Sequence, residues 1–316
     1  MFLSVCSPVY RAQSILPELV RRIEESLKPL AIDYEIVLVE DCSPDESWNV
    51  ISQICTENSR VIGVKLAKNS GQHNAITAAL AHAKGDYVVV MDCDLQDDPK
   101  YIPELLTEAQ KGYHIVYTAK EKRSHSAFKN LTGRLYGYFL LKLTGNSELY
   151  KSEIGSYSLL SRNAVEAFLS FREVHRHYLM ILRRLGFRST AIRIKHNPRF
   201  EGKSSYTFFK LLNHAIDGIV SQSNRLLYLS VYVGLAMFAF SFAFIAILFV
   251  LYFTKGFLSG WTSLMVMLLF STGLIMLTFG IHGLYLGKIF DQTKARPLYI
   301  VEETHNYNDH EVEKNR

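Results

Sequence analysis

The stretch Tyr87-Val-Val-Val-Met-Asp-Cys-Asp-Leu-Gln-Asp-Asp-Pro99 decides the fold, because it joins an apolar run directly to a cluster of carboxylates. The run at 87–91 is short and rich in β-branched residues, which predicts a buried strand. Asp92 and Asp94 follow it, and two neighbouring carboxylates at a buried strand end are costly unless a positive group lies between them. The stretch therefore predicts a strand that delivers carboxylates to a cation.

The residues on either side continue this alternation of short apolar runs and amphipathic segments. We predict strands at 2–6, 35–39, 61–66, 87–91 and 115–118, and helices at 14–27, 47–56, 72–83 and 102–111. This order predicts an α/β fold with a mostly parallel sheet that is covered by helices on both faces. Ligands of such sheets bind beyond the carboxyl ends of the strands, where the carboxylates lie.

A second acidic pair, Glu40-Asp41, follows the strand at 35–39. Carboxylate oxygens of this kind suit Mg²⁺ or Mn²⁺, usually shared with a diphosphate. An acidic loop can also serve as a helix N-cap, and this alternative suits Asp97 and Asp98, which precede Pro99. It does not account for the two aspartates directly after the strand, so a metal site remains the interpretation for those.

The composition is that of a folded protein. Charged residues make up 21% and hydrophobic residues 48% of the 316, and this balance excludes a disordered or collagen-like chain. The formal charge of +5 is too small to indicate nucleic-acid binding. The four cysteines show no CxxC spacing and are predicted to be free thiols: Cys6, Cys42, Cys55 and Cys93.

Two long charge-free runs follow the α/β region. Residues 226–253 and 256–287 contain about 28 and about 32 residues, more than the roughly 20 that span a bilayer. Buried core helices are the alternative, but such lengths are rare in soluble cores. We predict a two-helix transmembrane hairpin. The basic residues that flank it place both ends in the cytoplasm, although Lys255 in the short linker does not fit: Arg225, Lys288, Lys294 and Arg296.

Two amphipathic segments are predicted to lie in the membrane interface, with core-facing helices as the alternative. Residues 206–224 carry the stronger apolar stripe, and residues 128–143 carry a weaker one. The N-terminus lacks the basic region of a signal peptide, and a Pro-Val-Tyr turn follows at 8–10, so the first half is expected in the cytoplasm. The polar tail after Glu302 is expected to fray.

Several motifs together resemble the family 2 glycosyltransferases. The closest branch is that of the polyprenyl-phosphate glycosyltransferases, which comprises the bactoprenol glucosyltransferases and the dolichol-phosphate mannose synthases. The resemblance covers nearly the whole chain and rests on residues 7–10 (SPVY), 40–45 (EDCSPD), 69–76 (NSGQHNAI), 91–99 (MDCDLQDDP), 153–157 (EIGSY), 199–206 (RFEGKSSY) and 296–301 (RPLYIV).

The resemblance implies a GT-A (Rossmann-like) fold and a sugar transfer with inversion at the anomeric carbon. The donor would be a nucleotide-diphosphate sugar, with UDP-glucose as the default, and the acceptor a polyprenyl (undecaprenyl) phosphate at the inner membrane. Mg²⁺ or Mn²⁺ would assist, and a homo-oligomer and a flippase partner are further implications. The domains would be a cytoplasmic catalytic domain at 1–200, an interfacial helix at 201–225, two transmembrane helices at 226–287 and a cytoplasmic tail at 288–316.

The same resemblance assigns roles to individual residues. The nucleotide would be held by Pro8, Tyr10 and Asp41, with Asp41 near the base, and by Asn69 and Cys93 of the neighbouring motifs. The metal on the diphosphate would be held by Asp92, Asp94 and Gln96. Arg123 and Arg134 would face the acceptor phosphate, and Arg199 and Lys203 the diphosphate. His73 is a tempting general base, but a lone histidine is more often structural.

Three positions depart from the family pattern. Ser156 replaces the usual Asp, Ser158 the usual Arg, and Ser205 the usual Lys, so the clamp on the diphosphate loses a cation. The first change suits a phosphate acceptor, because a phosphate monoester is already an anion at pH 7 and needs no general base.

Two alternative functions follow from these features. A processive polysaccharide synthase usually has more spans and a Gln-x-x-Arg-Trp motif, whereas here neither Trp48 nor Trp261 follows an arginine. A catalytically impaired paralogue with a scaffold or sensor role is suggested by the three serines, but the complete Asp92, Asp94 and Gln96 set argues against it.

Overall fold

The computed structural model describes residues 1–120, 154–195, 225–255 and 260–307. They form two compact units, one built from residues 1–120, 154–195 and 296–307, the other from residues 225–255 and 260–295. Several predictions lie outside the described residues: the roles of Arg123, Arg134, Arg199 and Lys203, the departure at Ser205, both amphipathic segments and most of the hairpin linker.

The first unit is built on an eight-stranded sheet. Its strands are β1 (Phe2–Val9), β2 (Asp33–Glu40), β3 (Val61–Leu66), β4 (Tyr87–Val90), β5 (Ile115–Lys120), β6 (Ile154–Ser161), β7 (Ser189–Ile194) and β8 (Val301–His305), in the order β7-β5-β6-β4-β1-β2-β3-β8. Strands β4, β1, β2 and β3 are parallel neighbours, whereas β6 and β8 run antiparallel to theirs. The sheet is therefore mostly parallel around the acidic strand ends, as predicted.

Six helices of this unit cover the sheet. They are α1 (Leu16–Leu27), α2 (Ser47–Glu57), α3 (Gln72–His82), α4 (Ile102–Gln110), α5 (Arg162–Ser170) and α6 (Tyr178–Arg184). Along β1, Leu3 and Val5 belong to the apolar core under α1, α2 and α4, whereas Cys6 belongs to the core under α3, α5 and α6. This period of two places one core on each face of the sheet.

Close packing of α2 on β3 requires a glycine. A Cβ on Gly63 would lie 2.7 Å from Cγ2 of Ile51, which is inside van der Waals contact. The helix therefore approaches the strand at a distance that other residue types would not allow.

The sequence predictions for the first 120 residues are confirmed to within a few residues at each end. The prediction that the tail after Glu302 frays was wrong for residues 303–305, which belong to the edge strand β8, whereas residues 308–316 lie outside the described residues. The Nε1–H of Trp48 donates to Glu303 at 3.0 Å, and its ring stacks on His305. Pairing with β3 and these side-chain contacts hold a segment whose polar composition alone suggested mobility.

Two long helices are described in the second unit, α7 (Arg225–Lys255) and α8 (Trp261–Thr293). Within the described residues, one segment is long and apolar enough to cross a membrane, Phe270–Thr293 of α8. Large apolar side chains are exposed on both helices, for example Tyr232 and Phe253 on α7 and Phe279 on α8. The two-helix transmembrane hairpin itself stays a prediction.

Candidate active site

Four loops converge at the carboxyl edge of the sheet, after β1, β2, β3 and β4. Each contains a residue with positive φ: Arg11 (53°), Cys42 (49°), Gly71 (87°) and Leu95 (56°). Three of the four are not glycine, and left-handed backbone at such residues costs free energy that surrounding contacts must offset. The concentration of these residues at one edge marks it as a candidate site.

The loops after β1 and β2 are joined by hydrogen bonds. Arg11 N donates to Ser43 Oγ at 2.8 Å, and Ala12 N donates to Ser47 Oγ at 3.1 Å. Burial alone raises the pKa of Asp45, but hydrogen bonds from Ser43 and Ser47 outweigh it and leave the pKa lowered. These contacts fix the loop that contains Arg11 and offset its left-handed backbone.

Pro8, Tyr10 and Cys93 lie where β1 and β4 end. β1 pairs with β4 only over Leu3–Cys6. Pro8 therefore lies beyond this pairing, where the absence of a backbone N–H on proline is tolerated. The Tyr10 side chain is 44% exposed, which leaves an aromatic ring at the edge. Burial raises the pKa of the Cys93 thiol to about 12, so Cys93 is a neutral thiol at pH 7.

Asp41 holds the loop after β3. Its side chain is buried, and its two oxygens accept from Ser70 N at 2.6 Å and Gly71 N at 2.9 Å. Asn69 Nδ2 also donates to the backbone oxygen of Asp41 at 3.0 Å. Burial raises the pKa of Asp41, although the two backbone N–H groups act against this. The structure thus gives Asp41 a role in ordering this loop, and the sequence did not predict that role.

Glu40 is the buried neighbour of Asp41. Burial raises the pKa of Glu40, while its Oε1 accepts from Ser43 N. The second oxygen, Oε2, is buried and has no hydrogen-bond partner among the described residues. A buried acceptor of this kind is rare in proteins and calls for an explanation, of which a group bound at the strand end is one.

Asp92 is held on both sides by neutral donors. Gln72 Nε2, at the start of α3, donates to Oδ1 at 2.8 Å. Ser156 Oγ, on β6, donates to Oδ2 at 3.2 Å. The register of β6 on β4, with Ser158 opposite Val90, brings Ser156 to the level of Asp92. Residues far apart in the chain thus converge on one carboxylate.

Asp94 and Asp98 shape the turn that follows. Asp94 Oδ1 accepts from Gln96 N at 3.1 Å, and Asp98 Oδ1 accepts from Lys100 N at 3.1 Å. Asp98 is the N-cap of the short 3₁₀ helix at Pro99–Tyr101, which confirms the capping interpretation for that residue. Asp92 and Asp94 themselves do not cap a helix of the described structure.

The oxygen donors at this edge fit a divalent cation that is shared with a ligand. No group of three or more His, Cys, Asp or Glu side chains converges among the described residues. Mg²⁺, however, is usually held by one or two carboxylates together with phosphate oxygens, so no complete protein cage is needed. Asp92 and Asp94, each partly exposed after a buried strand, satisfy that requirement.

Behind this edge lies a cluster of histidine, serine and tyrosine side chains. The rings of His73 and His177 are 4.4 Å apart between centroids, and burial lowers the pKa of His73 to about 4, with His177 adding to the shift. Ser158 Oγ lies 2.8 Å from Tyr178 Oη, and both residues are buried. Burial thus favours the neutral ring of His73, and its structural role stays a prediction.

Comparison with known proteins assigns the family. The sequence model described as "Glycosyl transferase family 2" matches residues 4–169, which include both acidic strand ends and Ser156. The chain belongs to glycosyl transferase family 2. It is therefore a glycosyltransferase, as the motif resemblance implied.

Relatives match over almost their full length. An uncharacterized glycosyltransferase of Bacillus subtilis (strain 168), YkcC, is 31% identical, with 96% of this chain and 94% of the relative covered. The uncharacterized glycosyltransferase sll0501 of Synechocystis is 33% identical, with 95% of each covered. An undecaprenyl-phosphate 4-deoxy-4-formamido-L-arabinose transferase of Klebsiella pneumoniae is 31% identical, with 95% and 92% covered.

Solved structures are less similar. A glucosyl-3-phosphoglycerate synthase from Mycobacterium tuberculosis has a TM-score of 0.48 and 17% identity, with 71% of this chain and 78% of that chain covered. This likeness is too weak to assign a ligand or an activity.

The sequence motifs include Gln72 without assigning it a role, and they predict no contact between Ser156 and Asp92. The contacts of Gln72 and Ser156 with Asp92 bridge sequence separations of 20 and 64 residues, which no local pattern reveals. His177 and Tyr178 were also missed. The signal available for them was indirect, namely polar and aromatic residues directly before an apolar helical run.

Proposed function

We propose that this family 2 glycosyltransferase moves a sugar from a nucleotide-diphosphate donor to a polyprenyl phosphate at the cytoplasmic face of a membrane. The observation that carries the proposal is the pair Asp92 and Asp94 at the carboxyl edge of the sheet, with Asp92 held from two sides. The relative named for an undecaprenyl-phosphate substrate supports the choice of acceptor.

In the proposed reaction an oxygen of the lipid phosphate attacks the anomeric carbon, and the bond from that carbon to the diphosphate breaks. The attacking oxygen is already anionic at pH 7, so no side chain has to remove a proton from it. Ser156, a neutral residue beside Asp92, fits this requirement. Attack from the face opposite the leaving group inverts the anomeric centre.

Asp92, Asp94 and Gln96 are proposed to hold Mg²⁺ or Mn²⁺ on the diphosphate. The cation would neutralise the charge that develops on the leaving nucleotide diphosphate. Asp41 and Tyr10 are proposed to line the nucleotide site, where Tyr10 offers an exposed ring for a base to stack on. UDP-glucose remains the default donor by resemblance.

We also propose that α7 and α8 both cross the membrane. A helix of 31 residues is about 45 Å long, more than the roughly 30 Å of the hydrocarbon core. Exposed aromatic and aliphatic side chains on both helices suit a lipid environment. An acceptor that cannot leave the membrane would then stay at high effective concentration beside the enzyme.

The test is a transfer assay with membranes that contain the full chain and a panel of radiolabelled nucleotide sugars. We expect one donor to label the organic-soluble lipid fraction, with label released by mild acid as expected of a sugar phosphodiester. Membranes with the Asp92→Asn/Asp94→Asn double variant are the control and should leave the lipid unlabelled. Equal labelling by the double variant, or labelling of water-soluble polymer alone, would contradict the proposal.

A further inference from the structure

The carboxylate of Asp92 is oriented by a side chain on another element. Gln72 Nε2 donates to Oδ1 at 2.8 Å, a well-formed hydrogen bond to a charged acceptor. The contact from Ser156 to Oδ2 is longer, at 3.2 Å. Gln72 therefore provides the shorter of the two contacts with Asp92 described above.

The start of α3, where Gln72 lies, is held by Asp41, the residue that follows β2. Gln72 is the first residue of α3, and the two residues before it donate their backbone N–H groups to Asp41. Gly71 provides the left-handed backbone that starts the helix at this point, with φ of 87°. A continuous path of contacts thus runs from Asp41 through residues 70–72 to Asp92.

This path joins two carboxylates that the proposed function assigns to different parts of the donor. Asp41 belongs to the nucleotide side, and Asp92 belongs to the diphosphate and metal side. The parallel strands β2 and β4 that carry them are not adjacent, since β1 lies between them. The loop after β3 crosses above β1 to connect their ends.

We propose that Gln72 is a positioning residue, which fixes the rotation of the Asp92 carboxylate and thereby sets the affinity of the site for a divalent cation. The proposal rests on the proposed function, because it assumes that Asp92 faces a metal–diphosphate complex. The last torsion of an aspartate side chain is broad, so a carboxylate without an orienting donor samples many rotations. Loss of such an outer hydrogen bond typically weakens metal affinity by about tenfold or more.

The experiment measures Mn²⁺ binding directly, by the electron paramagnetic resonance signal of free Mn²⁺, on the purified full chain with saturating uridine diphosphate. Gln72→Met keeps the length of the side chain and removes its amide. We expect its dissociation constant for Mn²⁺ to rise about tenfold, with an unchanged thermal midpoint because Gln72 is exposed. Raising the Mn²⁺ concentration should restore transfer by this variant.

Gln53→Met is the matched control. Gln53 Nε2 donates to Glu57 Oε1 at 3.0 Å on the exposed surface of α2, so the substitution removes the same kind of hydrogen bond away from the site. Its Mn²⁺ affinity should equal that of the wild type. Ser156→Ala provides a second variant and should weaken Mn²⁺ binding by a smaller factor, because it removes the longer contact.

The outcomes separate the two proposals. Equal Mn²⁺ affinity in the wild type, Gln72→Met and Ser156→Ala would overturn the positioning role and leave the proposed function intact. A wild-type chain that retains no Mn²⁺ with uridine diphosphate would instead overturn the metal assignment in the proposed function. A loss of affinity in Gln53→Met as large as that in Gln72→Met would also count against the positioning role.

Discussion

The two ends of the same sheet hold carboxylates at different depths. At the amino end, Glu35 accepts from Ser4 Oγ and from Lys84 N, both at 2.6 Å, and Gly85 N donates to Ser4 Oγ at 2.8 Å. The Arg162 guanidinium donates to backbone oxygens there. Glu35 is buried, and both Glu35 and Arg162 therefore make their hydrogen bonds within the protein.

At the carboxyl end the donors are of the same neutral kind, but Asp92 and Asp94 are partly exposed. Asp92 receives hydrogen bonds from two neutral side chains, and Asp41 receives them from backbone N–H groups. An ionised carboxylate offers about four lone-pair sites, so such a group can accept hydrogen bonds and also hold a cation. The comparison teaches that similar neutral donors surround a buried carboxylate at one end of the sheet and orient a partly exposed carboxylate at the other.

The largest expected effect comes from removing a charge at the carboxyl end. Asp94→Asn should reduce the transfer rate by about a thousandfold, because a carboxylate that holds the cation on the leaving group is lost. Its thermal midpoint in detergent should stay within about 2 °C of the wild type, since the amide oxygen can still accept from Gln96 N. A transfer rate of Asp94→Asn close to that of the wild type would contradict a role of this carboxylate in the reaction.

The reverse pattern is expected at the amino end. Glu35→Leu leaves Ser4 Oγ and Lys84 N without their buried acceptor, at a cost of about 3 kcal/mol in the free energy of unfolding. The thermal midpoint should fall by roughly 6–12 °C, while the transfer rate per folded molecule stays within about twofold. Glu57→Gln, on the exposed surface of α2, is the control and should change neither quantity.

Acid should reveal the neutral histidine behind the carboxyl end. The pKa of His73 in the folded chain is about 4, against its ordinary 6.5, because burial disfavours the charged ring. The unfolded state therefore binds a proton first as pH falls. The stability that His73 contributes is complete above pH 6.5 and is lost between about 6.5 and 4, amounting to roughly 2 kcal/mol after allowance for partial exposure.

This pH dependence is measured by chemical unfolding between pH 4 and pH 8. His73→Phe keeps a ring against His177 and should flatten the slope, leaving the part due to the other groups. A slope identical to that of the wild type would show that the ring of His73 titrates normally. His177 has a pKa lowered by burial as well, so the double variant with His177→Phe should flatten the slope further.

The smallest effect is expected at Asn306, the residue that directly follows the edge strand β8. Asn306 Nδ2 donates to three backbone oxygens, those of Cys55 (2.7 Å), Val61 (2.9 Å) and Asn58 (3.3 Å). Asn306→Ala should cost about 1 kcal/mol and raise hydrogen exchange of the amides at 301–305 roughly fivefold. Because Asn306 has φ of 59°, Asn306→Gly is the control that relieves backbone strain while removing the same donor.

The parts of the fold that depend on local pattern could be predicted from the sequence. The strand β3 was predicted at its observed bounds because Val61–Leu66 is a short, largely apolar run with two valines and an isoleucine, broken only by Lys65. Asp98 was predicted as a cap because Pro99 follows it. Each of these two signals lies within a few residues of the feature that it predicts.

The remainder depends on contacts between distant residues. β8 is polar in sequence and becomes a strand only because β3 offers it an edge, more than 230 residues earlier in the chain. The hydrogen bond from Gln72 to Asp92 likewise depends on where α3 begins relative to the end of β4. Composition and periodicity carry no information on such pairings, so they had to be seen in the structure.

The origin of β8 at the far end of the chain imposes an order on biosynthesis. β3 leaves the ribosome roughly 240 residues before its neighbour β8, and at ~5–20 residues per second that interval is on the order of tens of seconds. During this time both long helices are translated while the edge of β3 lacks its partner. A nascent chain interrupted after α8 would carry an open strand edge, the kind of surface that recruits strands from other chains. β8 can thus join the sheet only after both long helices have been translated.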